Sequence, residues 1–182
     1  MRRTVLIFGL IIGVIFTANL TWMIYLMYNR PDFKSNDILG YAAMIVVFSL
    51  VFVGIRDYRN RQMNGVITFW QAFKTGSLIV LAASTVYVVA WLFMYYLWVP
   101  DFIEKYSEHV LNNCVRDGAT AQELADKAED IDKYRQMYRN PVWVVLLTYS
   151  EVLPVGLLVA LISALILKRK TPKAPATGET LQ

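Results

Sequence analysis

Four long runs of apolar residues, 4–28, 38–55, 75–99 and 142–167, alternate along the chain with segments where charges and turn residues collect. The only formally charged residue inside the four runs is Glu151. A helix that crosses a hydrocarbon layer of ~30 Å needs roughly 17 to 25 mostly apolar residues, so each run can span it, the second barely. The pattern predicts an all-α polytopic membrane protein of four transmembrane helices. Composition agrees: of 182 residues, 57% are hydrophobic, 14% aromatic and 18% charged, with a mean hydropathy of +0.42, too apolar for an ordinary soluble domain.

The segments between the runs carry their own patterns. Residues 29–37 are enough only for a tight link, so the first two spans are expected to be antiparallel neighbours, with Asn36 or Asp37 capping the second. Just before the third span, Ile67, Phe69, Trp70, Ala72 and Phe73 form either an interfacial turn or the end of a longer helix. Residues 100–141 read as a helical hairpin docked on the bundle. Ile103, Tyr106, Val110, Leu111 and Cys114 recur at steps of three and four up to a stop at Gly118. Thr120 and Glu123 then form a capping box for a second helix with Leu124, Ala128, Ile131 and Tyr138 on its apolar stripe. Asn140 and Pro141 suit the N-cap and first turn of the fourth span. The reading is one membrane domain, 1–170, and a disordered cytoplasmic tail, 171–182, with Pro172, Pro175 and Gly178.

Charge sets the expected threading. Arg2 and Arg3, then Arg56, Arg59, Arg61 and Lys74, then Lys168, Arg169, Lys170 and Lys173 flank span ends that four crossings place on one side. Lys and Arg are retained on the cytoplasmic face, so both termini are expected there, in the cell inner membrane, with the acid-rich 100–141 segment outside. Trp22, Tyr25, Tyr28, Trp91, Tyr95, Tyr96, Trp98 and Trp143 crowd the opposite ends, where amphipathic rings favour the headgroup layer. The same topology accounts for the net charge of +4 and pI of 9.2, so nucleic acid is not an expected partner. The basic start at Arg2 and Arg3 resembles a secretory leader, but its apolar run exceeds the roughly 7 to 15 residues such leaders use, which predicts an uncleaved first span.

Candidate chemistry is sparse. One cysteine, Cys114, and one histidine, His109, five positions apart on a helix, make neither a thiolate cluster nor a nucleophilic triad. Glu123, Asp126 and Asp130 share a helix face but read as solvated charges, with Glu123 to Lys127 and Glu129 to Lys133 as four-residue ion pairs. No phosphate-binding glycine loop or dinucleotide fingerprint is present. The expectation is a protein with no catalytic residue, metal or cofactor, hence not an enzyme.

Glu151 is the candidate polar site. It lies about nine residues into its span, roughly 13 Å from the outer boundary at ~1.5 Å per residue, where low dielectric favours the neutral acid. Pro154, three residues on, removes an amide and leaves the Ser150 carbonyl without its helical donor. Two functions fit this acid: a proton- or ion-exchanging group, or a buried structural one bonded to Asn19, Thr21, Ser84, Thr85 or Tyr87. Gly9 and Gly13 on the first span, and Gly156, Ala160 and Ala164 on the fourth, are the candidate helix-packing residues. At ~100° per residue the second stripe faces away from Glu151, so the fourth helix is either sandwiched or contacts a second subunit.

These signals, in this order, resemble a bacterial inner-membrane family of the Bacteroidota, domain of unknown function 4199. The resemblance rests on Phe52-Val53-Gly54-Ile55-Arg56 with Tyr58, on Gly65, Phe69, Ala72-Phe73-Lys74 and Gly76, and on Pro100-Asp101-Phe102. It continues in Met137-Tyr138-Arg139-Asn140-Pro141, and in Glu151 with Pro154-Val155-Gly156-Leu157 and Leu161-Ile162-Ser163-Ala164. It implies the four-span layout and lends no activity. The expected role is that of a non-enzymatic accessory or assembly component in the lipid bilayer, partnered by a second copy or another membrane protein. The alternative is a small oligomeric proton- or ion-coupled permeation unit using Glu151. A tag on the last residue should resist labelling from outside intact cells; labelling there would overturn the threading.

Overall fold

The computed structural model describes residues 1–30 and 37–169, which form six α-helices: α1 Arg2–Asn29, α2 Asp37–Gln62, α3 Phe69–Leu97, α4 Phe102–Arg116, α5 Ala121–Tyr138 and α6 Pro141–Leu167. The expected tail 171–182 and the Asn36 cap lie outside the described residues. Four of the helices, α1, α2, α3 and α6, are long and apolar enough to cross a membrane. Their outward faces carry large apolar side chains such as Leu10, Val14, Val46, Leu158 and Ile166, a surface that hydrocarbon solvates and water does not.

Two helices run past the apolar limits of their spans. α2 continues from Ile55 to Gln62 because Arg56 to Gln62 contains neither Gly nor Pro, and Asp57 and Arg61 pair one turn apart at 2.6 Å. It stops where Asn64 and Gly65 adopt positive φ, 48° and 81°, the Gly65 amide bonding back to the Arg59 carbonyl. α3 starts at Phe69, so the aromatic stretch is its first turns. Thr68 and Gln71 close a capping box there, a local sequence signal that the apolar pattern leaves unmarked.

In lipid there is little hydrophobic drive between helices, so they associate where small residues let backbones approach. α3 packs against α1, α2 and α6, and α2 against α1, α3 and α6. Glycines sit at each of the close contacts. A Cβ on Gly9 would lie 2.6 Å from that of Ala82, and one on Gly13 2.6 Å from that of Val86, both on α3. One on Gly76 would meet Ile55 at 2.9 Å and Ala160 at 3.0 Å; one on Gly156 would meet Val80 at 2.5 Å and the Phe48 ring at 2.8 Å. The core around these contacts holds Ile12, Phe16, Phe48, Val51, Ile79, Val80, Val152 and Ala160.

The end of the bundle that carries the basic residues is tied by polar groups. The Gln62 amide donates to Thr4 Oγ1 at 2.9 Å, joining α2 to α1. Arg59, almost buried, donates to the Leu167 carbonyl at 3.4 Å, placing a cation on the C-terminal end of the α6 dipole. The Arg169 amide donates to the Ile67 carbonyl at 2.9 Å. At the opposite end, α4 and α5 pack on one another and touch the ends of α1 and α6. Phe102 and Tyr138 carry them onto α3: Phe102 meets Trp91 edge-on at 4.8 Å and Tyr138 meets Tyr95 at 5.3 Å. Tyr28 of α1 donates to the Asp101 carboxylate at 2.7 Å. The expected caps are present, with Thr120 and Glu123 closing a box and Asn140 Oδ1 accepting from the Val142 amide at 2.9 Å.

Gly156→Ala and Gly13→Ala should each destabilise the bundle by the ~1–3 kcal/mol typical of overpacking. Gly40→Ala, whose Cβ would meet nothing within 4 Å, should not. Thermal unfolding in detergent, followed by helical circular dichroism, separates the two classes.

Candidate intramembrane polar site

α6 presents a buried stripe at every fourth residue, Val144, Thr148, Val152, Gly156, Ala160 and Ala164. The helix passes unbroken through Pro154, and the Ser150 hydroxyl donates to the Leu147 carbonyl at 2.7 Å, beside the turn that the proline deprives of an amide. Ser150, Glu151 and Pro154 fall on the other side of the helix and are exposed. The sequence suggested a submerged carboxyl; the structure puts it on the outside of the single chain. The reason is rotational: the small-residue stripe takes the close contacts with α2 and α3, and residues about half a turn from it must face outward. Gly9, Gly13, Gly156, Ala160 and Ala164 are thereby all placed in contacts within the chain.

Of the hydroxyl and amide groups offered as partners for Glu151, Tyr87 of α3 interacts with its charge. Thr85 instead shares a 2.8 Å hydrogen bond with Tyr149, Thr21 donates to the Thr17 carbonyl, and the fully buried Ser84 hydroxyl has no hydrogen-bond partner among the described residues. Glu151 has a second electrostatic neighbour the sequence did not suggest, Tyr138 at the end of α5. Burial first, and the Glu151 charge second, push the Tyr138 phenol up to about 12, while a hydrogen bond from the Trp91 indole partly offsets them. Tyr138 therefore contributes stability that is present below the ordinary tyrosine range near 10 and is lost as pH rises through about 12. Tyr87 and Glu151 both lie ten residues from the helix ends nearest α4 and α5, about 15 Å along the axis.

The acidic face of α5 behaves as a set of local pairs. Lys133 meets Glu129 at 2.9 Å and Arg135 meets Asp132 at 2.6 Å. The expected Glu123 to Lys127 pair does not form among the described residues, because the Glu123 carboxylate turns back to the Thr120 amide and hydroxyl at 2.8 and 2.9 Å. Those bonds hold its carboxyl below the usual carboxylate range, so the cap stabilises above that range and weakens as pH falls through it. His109 lines a shallow pocket between α1 and α4 with Tyr28, Lys105 and Glu108. No three His, Cys, Asp or Glu residues converge as metal ligands among the described residues.

Four membrane-length helices joined through glycine contacts, with two charged helices confined to one end, define a polytopic α-helical membrane protein. The chain belongs to the family described as protein of unknown function (DUF4199), which it matches over residues 7–169. No curated protein matches the chain, and no solved structure does.

The coupling between Glu151 and Tyr138 is open to titration. The phenolate absorbance lost in Tyr138→Phe should have a midpoint near 12 in the wild type, and Glu151→Gln should lower it. An unchanged midpoint would show that the two groups do not interact.

Proposed function

We propose that this protein is a non-enzymatic accessory or assembly component of an inner-membrane complex, and that the face of α6 bearing Ser150, Glu151 and Pro154 is its contact surface. Both termini then lie in the cytoplasm, and α4 and α5 project from the other face, as the distribution of Lys and Arg favours. The observation that carries this reading is the exposure of Glu151 about 15 Å below the α6 start. A charged side chain near the bilayer centre costs at least ~2.5–3.5 kcal/mol against hydrocarbon, a large fraction of the ~5–15 kcal/mol that holds a typical protein folded. Such a face is more stable against protein or water than against acyl chains. The glycine and alanine stripes are occupied within the chain, so a partner, either another membrane protein or a second copy, meets the polar face instead.

One observation favours a second reading, in which an oligomer of this chain passes protons. Glu151 interacts electrostatically with Tyr87 at its own depth and with Tyr138 near the α4–α5 end, so one acid is coupled to a phenol beside it and to a second phenol nearer the surface. Glu151→Gln separates the readings, since it keeps shape and hydrogen bonding but removes titration. Under the accessory reading, a stoichiometric partner copurifies from native membranes in mild detergent with the wild type and with Glu151→Gln, and is lost with Pro154→Trp, which is bulky on the exposed face. Recovery of the protein alone, with crosslinking that yields only monomer, would refute it. Proton flux in reconstituted vesicles that vanishes in Glu151→Gln would replace it with the second reading.

A further inference from the structure

The two ends of the bundle differ in how their cations are compensated. On α4 and α5, Lys105 pairs with Glu108 at 3.5 Å, Lys133 with Glu129 at 2.9 Å and Arg135 with Asp132 at 2.6 Å. At the other end Asp57 is the one acid among residues 1–12, 55–80 and 160–169, and Arg61 takes it at 2.6 Å. Arg2, Arg3, Arg56, Lys74, Lys168 and Arg169 are exposed there, and their side chains make no ion pair or hydrogen bond among the described residues. Packing gathers these cations from four helices. Gln62 ties α2 to Thr4 of α1, Arg59 ties it to the last carbonyls of α6, and the Arg169 amide bonds to Ile67, two residues before α3. Threading requires only that the bases lie on one side; it does not require them to converge unpaired. Uncompensated like charges repel one another, and an anion among them removes that repulsion.

The surroundings of the cluster narrow the anion. Arg2 and Leu6, Arg3 and Ile7, and Val53 and Arg56 stand three or four positions apart, so each pair shares a helix face, and Leu6, Ile7 and Val53 are exposed. In each pair the apolar member lies toward the middle of the bundle and the cation toward its end. Arg56 is six residues from the end of α2, about 9 Å, and Lys74 five from the start of α3, about 7.5 Å. These two cations thus lie within the membrane-length helices, where long side chains carry their charge to the boundary and cover apolar surface with their stems. A soluble phosphate or a nucleic acid would meet the cations and leave the apolar flanks bare. A second copy docking through this end would bring the same positive charge and be repelled. We infer that the basic end binds an anionic phospholipid, with the headgroup phosphate on these cations and the acyl chains along the apolar flanks of α1 and α2. The surface is separate from the α6 face and binds lipid whether or not that face has a partner.

The test uses the full-length protein in vesicles of phosphatidylcholine, with spin-labelled phosphatidylglycerol or spin-labelled phosphatidylcholine as probe and the motionally restricted fraction as readout. Phosphatidylglycerol should associate at least about fivefold more strongly than phosphatidylcholine, the effect of one Lys or Arg at a charged surface. That preference should fall below about twofold in about 1 M salt, where charges are screened within ~3 Å. It should fall as far at low salt when Arg2→Gln, Arg3→Gln and Arg56→Gln are combined, and survive when the same three positions carry Arg2→Lys, Arg3→Lys and Arg56→Lys. Equal association of the two lipids with the wild type, or an undiminished preference in the Gln variant, would overturn the inference. So would loss of the preference in the Lys variant, since charge would then not be its cause. Displacement of the labelled phosphatidylglycerol by excess inorganic phosphate would give the cluster to a soluble anion instead, and displacement by a single-stranded oligonucleotide would give it to nucleic acid.

Discussion

Helices surrounded by hydrocarbon gain little from hiding apolar side chains from one another, so the distance at which their backbones can meet decides whether they associate at all. Here that distance is set by Gly9, Gly13, Gly54, Gly76 and Gly156, each of which faces side-chain atoms closer than a real Cβ would tolerate. These contacts converge on α3 and, through Phe48 and Ile55, on α2. They also fix the rotation of each helix about its axis. Once Gly156 faces Val80 and Phe48, Val152 and Ala160 must be buried, and Ser150, Glu151 and Pro154 must face away.

The two ends of the bundle are secured by different chemistry. At the basic end, short polar ties join neighbouring helices, with Arg59 on the last carbonyls of α6 and Gln62 on Thr4. At the other end, aromatic rings do the joining: Trp91, Phe102, Tyr95 and Tyr138 form one cluster that holds α4 and α5 to the top of α3. Charged residues in α4 and α5 meanwhile pair locally along their own helices, as in Lys133 with Glu129 and Lys105 with Glu108. Because α5 leads directly into α6 through Asn140 and Pro141, the aromatic cluster also fixes the start of the helix that carries Glu151.

Tyr87 of α3 has neighbours on two sides. Its hydroxyl interacts with the charge of Glu151, on the α6 side, and the same residue lines a crevice between α1 and α2 beside Gly40.

Much of this fold is legible from local sequence because its causes are local. Uninterrupted apolar runs need hydrocarbon around them, and Thr120, Glu123, Asn140 and Pro141 mark helix starts through bonds made within a few residues. Spacing alone also separates Glu151 from the stripe of Gly156, Ala160 and Ala164, since both lie on one helix of known pitch. Which of those faces is covered could not be read that way: the answer depends on Phe48 and Val80 meeting Gly156 from other helices. The same holds for Tyr138 as a neighbour of Glu151, for Arg59 on the end of α6, and for the opening beside Gly40. Each is a contact between residues far apart in the chain. Sequence by itself determined the solvent, the helices and their caps, which are one-dimensional properties; the tertiary structure alone decided which polar groups face one another, because that depends on how the helices are rotated against their neighbours.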